Sequence, residues 1–185
     1  MGEDEIKRFA GARFAASFGA NADLDYPRWH ARTHSAAAGT DTRAAVLGYR
    51  PATDRPLFLE AYLDHPIEVL VSAAMGRTVS RADIVEIGCL ASTSPVALIQ
   101  LWHETATALD SRHHVVAATL TARVRRLLAR AGVPIVEIAR AVPDRLPDAA
   151  RWGKYYDDDP RVCVGSIADG AASLERYVAQ RSVAA

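Results

Sequence analysis

Between residues 84 and 139 short apolar runs alternate with amphipathic stretches, and that alternation restricts the fold more than any other feature of the chain. IVEIGCL (84–90) is an apolar run of strand length. Ile99, Trp102, Ala106 and Leu109 then recur on one face of a predicted helix over 95–109. HVVAAT (114–119) reads as the next strand. Val124, Leu127, Leu128 and Ala131 predict a helix that begins near Thr121 and stops at Gly132. PIVEIA (134–139) completes the series as a strand. Strand–helix–strand–helix–strand at this spacing implies parallel strands joined by right-handed crossovers, because a right-twisted strand feeding a helix packs back onto its sheet only that way.

The flanks add an antiparallel front. Residues 4–18 place Ile6, Phe9, Ala10, Phe14 and Phe18 at helical intervals and end at Gly19. Residues 27–34 and 43–50 are predicted strands, joined by the turn-rich segment 35–41. Pro56 and Pro66 open two short helices, LFLEAYLD and IEVLVSAAM, the second closed by Gly76. The tract DRLPDAARWGKYYDDDP reads as a loop before a last strand over 161–167 and a closing helix over 171–180. No repeat or linker divides the chain, so residues 1–185 read as one domain, with 84–140 as its core and 1–42 as an N-terminal helix and strand region. The expected class is α+β, a three-layer αβα sandwich whose sheet is antiparallel in front and partly parallel at the centre.

Charge and composition remove several functions. Lys plus Arg and Asp plus Glu both total 22, so the basic excess of a nucleic-acid binder or of a protein held to anionic lipid is missing. No window reaches the roughly eighteen consecutive apolar residues of a membrane span. MGEDEIKRF opens with acids where a secretory signal carries a basic stretch, and a cytoplasmic protein is expected. Cys89 and Cys163 stand far apart in apolar runs and read as buried thiols rather than a disulfide. His30 and His34 lie on a predicted strand with no third ligand following, so no metal is expected.

Glu86 is the residue most suggestive of chemistry. It interrupts an apolar strand, and a poorly solvated carboxyl rises in pKa towards the range of a general base. Gly88, two residues on, shares its face of the strand and leaves space beside it. The turn ASTSPVA follows, where Ser92, Thr93 and Ser94 are capping types and Pro95 suits the first helical turn. Such a helix start offers free amides to a pyrophosphate, and plain capping explains it equally. Tyr155 and Tyr156 are phenolic proton donors ahead of three acids that suit a solvated turn. Arg123, Arg125, Arg126 and Arg130 form a basic helix face, either solvated or facing a phosphate, and Trp29, Trp102 and Trp152 read as packing residues.

GYRPA (48–52), LFLEAYLDHPIE, IVEIGCLAS and WGKYYDDDPRV, in that order, resemble the thermostable hemolysin family. Asn is the residue usual in that family at the position of Cys89. The resemblance implies a GNAT-like mixed, partly splayed sheet flanked by helices, close to the acyl-homoserine-lactone synthases. Those enzymes carry a Glu on the corresponding strand, matched by Glu86, while the Arg-Phe pair that follows it there is absent here. The implied activity is N-acyl transfer to the amine of a small molecule such as an amino acid. The co-substrate would be an acyl thioester of coenzyme A or of an acyl carrier protein's phosphopantetheine, with no tightly bound cofactor. Its amides would lie between strands 84–90 and 114–119, with Leu90, Ala91, Ser92, Thr93, Ser94 and Thr119 as donor-binding positions. Glu86 would take the amine proton, Tyr155 or Tyr156 would protonate the leaving thiolate, and Glu60, Tyr62 and Asp64 would form the acceptor pocket. A homodimer stays open, and no nucleic-acid partner is implied. The alternatives are a membrane-active hemolysin and a non-catalytic module that binds acyl carrier protein.

Overall fold

The computed structural model describes residues 2–21, 25–35, 41–109 and 113–183. Its strands are β1 (Arg28–Ser35), β2 (Asp41–Pro51), β3 (Ile84–Ser92), β4 (Val115–Leu120), β5 (Val136–Arg140) and β6 (Arg161–Ser166). Its helices are α1 (Glu3–Phe18), α2 (Ile67–Met75), α3 (Pro95–Leu109), α4 (Ala122–Arg130) and α5 (Ile167–Val183). The strands form one sheet in the order β1-β2-β3-β4-β6-β5. β3 and β4 are parallel, and the other neighbouring pairs are antiparallel.

Helices cover both faces. Leu98, Leu101 and Trp102 of α3, Leu128 of α4 and Leu174 of α5 pack on Leu47, Val85, Ile87 and Ala118. On the opposite face Ile67 and Val71 of α2 pack with Leu59 on Ile84, Val115, Ala117 and Val164. Ala10 and Phe14 of α1 join Tyr26, Trp152 and Tyr155 over Val46, Cys89 and Ala91. The three-layer sandwich read from the sequence is therefore present.

Four local expectations are corrected. The second crossover does not deliver β5 beside β4, because β6 lies between them. Val162, Cys163 and Val164 are buried on both faces, which suits an interior strand, whereas Val136, Glu137 and Arg140 are exposed, which suits an edge. The helix expected after Pro56 is a 3-10 turn, Phe58–Tyr62, whose start is tied by the Glu60 carboxylate accepting the Leu57 N–H at 2.8 Å. α5 begins directly after β6 and runs through Gly170, since Ser166 caps it by accepting the Asp169 N–H at 3.2 Å. The tract before β6 contains three 3-10 turns, Pro143–Arg145, Ala149–Trp152 and Tyr155–Asp158, which carry Trp152 and Tyr155 into the interior. Residues 36–40, within the turn expected between the front strands, lie outside the described residues.

A bulge in β3 sets up the site. Gly48 pairs with Gly88 and Val46 with Ala91, so Cys89 and Leu90 stand opposite Leu47 alone. Cys89 absorbs the extra residue at a φ of 51°, the left-handed region that Asn and Gly tolerate best. The bulge also resets the alternation: Glu86 and Gly88 face α1 and α2, and so do Cys89 and Ala91. Pairing of β3 with β4 ends at Ile87 and Ala118, and beyond that point the two strands diverge.

Candidate active site

A cavity of about 410 Å³ opens where β3 and β4 part. Ile87, Gly88, Cys89 and Leu90 of β3 form one wall. Thr119 at the end of β4, with Thr121 and Val124 of the following turn and helix, forms another. Phe14 and Phe18 of α1, Phe58, Trp152 and Tyr155 make an aromatic roof. Tyr155 stacks on Phe14 at 6.3 Å and meets Trp152 at 5.4 Å between ring centroids. Asp25, Arg50, Arg55 and Asp148 supply a polar end of both signs.

Glu86 stands beneath this cavity rather than on its surface. It is 1% exposed and absent from the lining. Its two oxygens accept the Phe58 and Leu59 N–H groups, each at 2.9 Å, so the start of the 3-10 turn caps a carboxylate. The Tyr26 hydroxyl lies over Gly88, on the same face of β3, and acts electrostatically on the same carboxyl. Burial pushes the Glu86 carboxyl above its ordinary range, opposed by those two amides, by Arg50 across the β2–β3 pair, and by Tyr26. Arg50 is itself buried; it donates to the Pro56 carbonyl at 3.1 Å and lies 5.2 Å from the Tyr26 ring centroid. Tyr26 is raised well above its ordinary pKa, first by burial and then by Glu86, so it stays a protonated phenol.

The other sequence candidates divide. Tyr155, Tyr62, Leu90 and Thr119 line the cavity. The Tyr155 hydroxyl donates to the Thr119 carbonyl at 3.4 Å, and burial raises its pKa. Thr119 Oγ1 is buried with no partner among the described residues. Tyr156 does not line the cavity; its hydroxyl meets that of Tyr62 at 2.9 Å. Ala91 is buried under α1. Ser92, Thr93 and Ser94 are also outside the lining. Thr93 donates its N–H to the Ala44 carbonyl at 2.8 Å, and Ser94 Oγ accepts the Ala97 N–H at 3.1 Å as a helix cap. Glu60 is held by Arg81 through two contacts of 2.7 Å, and Asp64 by Arg145; neither reaches the cavity.

The family profile of the thermostable hemolysins matches residues 2–171. The chain belongs to that family. This hemolysin-family chain also superposes on solved acyl-transfer enzymes at low identity. TofI in an apo form matches with a TM-score of 0.60 at 16% identity, over 95% of this chain and 91% of that one. The acyl-homoserine-lactone synthase LasI matches with a TM-score of 0.52 at 10% identity, over 90% and 85%. FeeM, an N-acyl amino acid synthase from uncultured soil microbes, matches with a TM-score of 0.56 at 11% identity, over 92% and 87%. No curated protein matches the sequence. The fold of this family member is therefore the GNAT-like one. Among the described residues no group of three His, Cys, Asp or Glu is placed to hold a metal ion, and no helix is long and apolar enough to cross a membrane.

Sequence reasoning missed Tyr26, Arg50, Phe14, Phe18 and the cavity role of Trp152. The one signal available was Gly88, read as leaving space beside Glu86; its partner across the strands is Gly48. Two glycines paired across neighbouring strands mark a patch that something bulky covers.

Proposed function

We propose that this protein transfers an acyl group from a thioester to the amine of a small molecule such as an amino acid. The observation that carries the reading is a buried, strand-borne carboxylate beneath a cavity at the divergence of two parallel strands. A thioester has an extended, amide-bearing arm and an apolar acyl chain. The edges of β3 and β4 beyond Ile87 and Ala118, no longer paired with each other, suit the arm, and the aromatic roof suits the chain. Thr119 Oγ1 offers a hydroxyl for the donor, and Leu90, on the bulged segment, lines the position where the carbonyl would lie.

The polar end supports a charged acceptor such as an amino acid. Arg55 and Asp25 pair with each other at 2.7 Å, an ion pair with which the carboxylate and ammonium of an amino acid would exchange, and Asp148 also lines this end. Glu86 supplies the basic group that takes up the amine proton as the nitrogen attacks. Either coenzyme A or an acyl carrier protein's phosphopantetheine would present the thioester; exposed Arg123, Arg126 and Arg130 on α4, beside cavity-lining Val124, suit a phosphate. Release of free thiol from acyl-coenzyme A and acyl-carrier-protein donors tests the reading. Release that depends on added amino acid is expected, and release no faster than donor hydrolysis would contradict it.

A further inference from the structure

The mechanism just proposed leaves Glu86 without contact to the cavity. Both its oxygens accept backbone N–H groups, and it is walled off by the residues around it. Tyr26 does line the cavity, and its hydroxyl lies over Gly88, two residues from Glu86 on the same face of β3, where it interacts with the buried carboxyl. The sheet is built to receive this tyrosine. A Cβ at Gly48 would stand 2.6 Å from Tyr26 Cβ and Cγ, and one at Gly88 would overlap the Tyr26 hydroxyl. The phenol oxygen is thus fixed on bare backbone beside Cys89 and Leu90, where the two strands separate.

Resting on the acyltransferase reading, we infer that Tyr26 is the catalytic residue that meets the reacting atoms, and that Glu86 is a positioning and proton-accepting residue acting through it. The neutral amine nitrogen attacks the thioester carbonyl and a C–N bond forms. Its proton passes to Tyr26 Oη while the phenol's own proton moves to the Glu86 carboxylate. The intermediate then collapses with cleavage of the C–S bond. Glu86 returns its proton to Tyr26, and Tyr26 protonates the departing sulfur. The products are an amide and a thiol, and both side chains end as they began. One phenol thereby serves the two proton transfers that the sequence divided between Glu86 and Tyr155 or Tyr156. Tyr155 is committed to the Thr119 carbonyl and Tyr156 to Tyr62.

Turnover of the full chain is compared for the unaltered protein, Tyr26→Phe, Glu86→Gln and the double variant. Phe keeps the ring that fills the space over Gly48 and deletes only the hydroxyl. A relay predicts that Tyr26→Phe lowers kcat about 100-fold or more, the usual share of general acid–base catalysis, with melting and both KM values little changed. The double variant should be no slower than the slower single one, since the two residues act as a unit. A kcat for Tyr26→Phe within about threefold of the unaltered enzyme overturns the relay and leaves the acyltransferase reading intact, being far below the loss expected of an acid–base group. Should Tyr26→Phe melt early, the unaltered protein carries the test: its rate should curve with the deuterium fraction of the solvent, as two protons in flight require, and a linear dependence overturns the relay. Absence of product from the unaltered protein overturns both readings.

Discussion

Gly88 leaves bare the patch of β3 on which the Tyr26 hydroxyl rests, and a methyl group there would occupy the oxygen's place. The effect extends beyond packing, because the same hydroxyl acts on the Glu86 carboxyl, two residues earlier on the strand. Strand geometry, glycine placement and the protonation of a buried carboxyl meet at one point.

Gly88→Ala should therefore act as an overpacking change. The Tyr26 ring lies against Gly48 and cannot retreat along the sheet. We expect a stability loss of about 1–3 kcal/mol in urea unfolding, together with lost turnover. Unchanged stability and turnover would mean that Tyr26 sits elsewhere.

Glu86 should give stability and activity opposite dependences on pH. Burial raises its carboxyl in the folded state, so the folded protein binds the proton more tightly than the unfolded chain does. The stabilising contribution is complete below the ordinary glutamate value of about 4.3 and is lost as pH rises through the raised folded value. Turnover needs the carboxylate and should rise with pH through that same raised value. Urea midpoints with and without Glu86→Gln, and a pH–rate profile of the unaltered protein, check both signs; the substitution should remove the stability dependence.

Cys89 occupies a left-handed conformation at φ 51°. Cys89→Asn or Cys89→Gly relieves that and should leave stability equal or raise it by about 0.5–1 kcal/mol. Cys89→Val places a β-branched residue at positive φ and should cost about 1–2 kcal/mol or more. Thermal or urea unfolding of the three variants ranks them directly.

Trp152 ties α1 to the cavity roof, with its ring 6.1 Å from Phe14 and 5.6 Å from Phe58. Removing it should cost about 3–5 kcal/mol, the usual range for an aromatic deleted from a core. Under conditions where Trp152→Ala is still folded, KM for the acyl donor should rise more than kcat falls, because the change widens the apolar end and spares Glu86.

Much of the architecture was legible because it rests on periodicity. The run from β3 to β5, the N-terminal helix and the buried Glu86 each follow from where apolar residues recur or fail to. Strand order was less legible. β6 enters between β4 and β5 because Val162, Cys163 and Val164 are apolar on both faces, a preference visible only against the exposed residues of β5. The site was half legible. The space beside Glu86 could be read from Gly88, but its occupant arrives from Tyr26, sixty-odd positions away. Trp152 looked like packing because nothing local tells an aromatic residue that fills a core from one that roofs a cavity. Glu60 and Asp64 share a segment with cavity-lining Tyr62, yet Arg81 and Arg145 claim their carboxylates, and such partners follow from tertiary placement alone.

Mass spectrometry of the products is the most direct test of the central claim. The purified protein is incubated with acyl-coenzyme A or acyl carrier protein and a pool of amino acids, alongside Glu86→Gln. An amine heavier by the acyl group, formed by the unaltered protein and lost in Glu86→Gln, is the expected result. No acylated amine from any donor would contradict acyl transfer, and equal product from both proteins would contradict the role of Glu86.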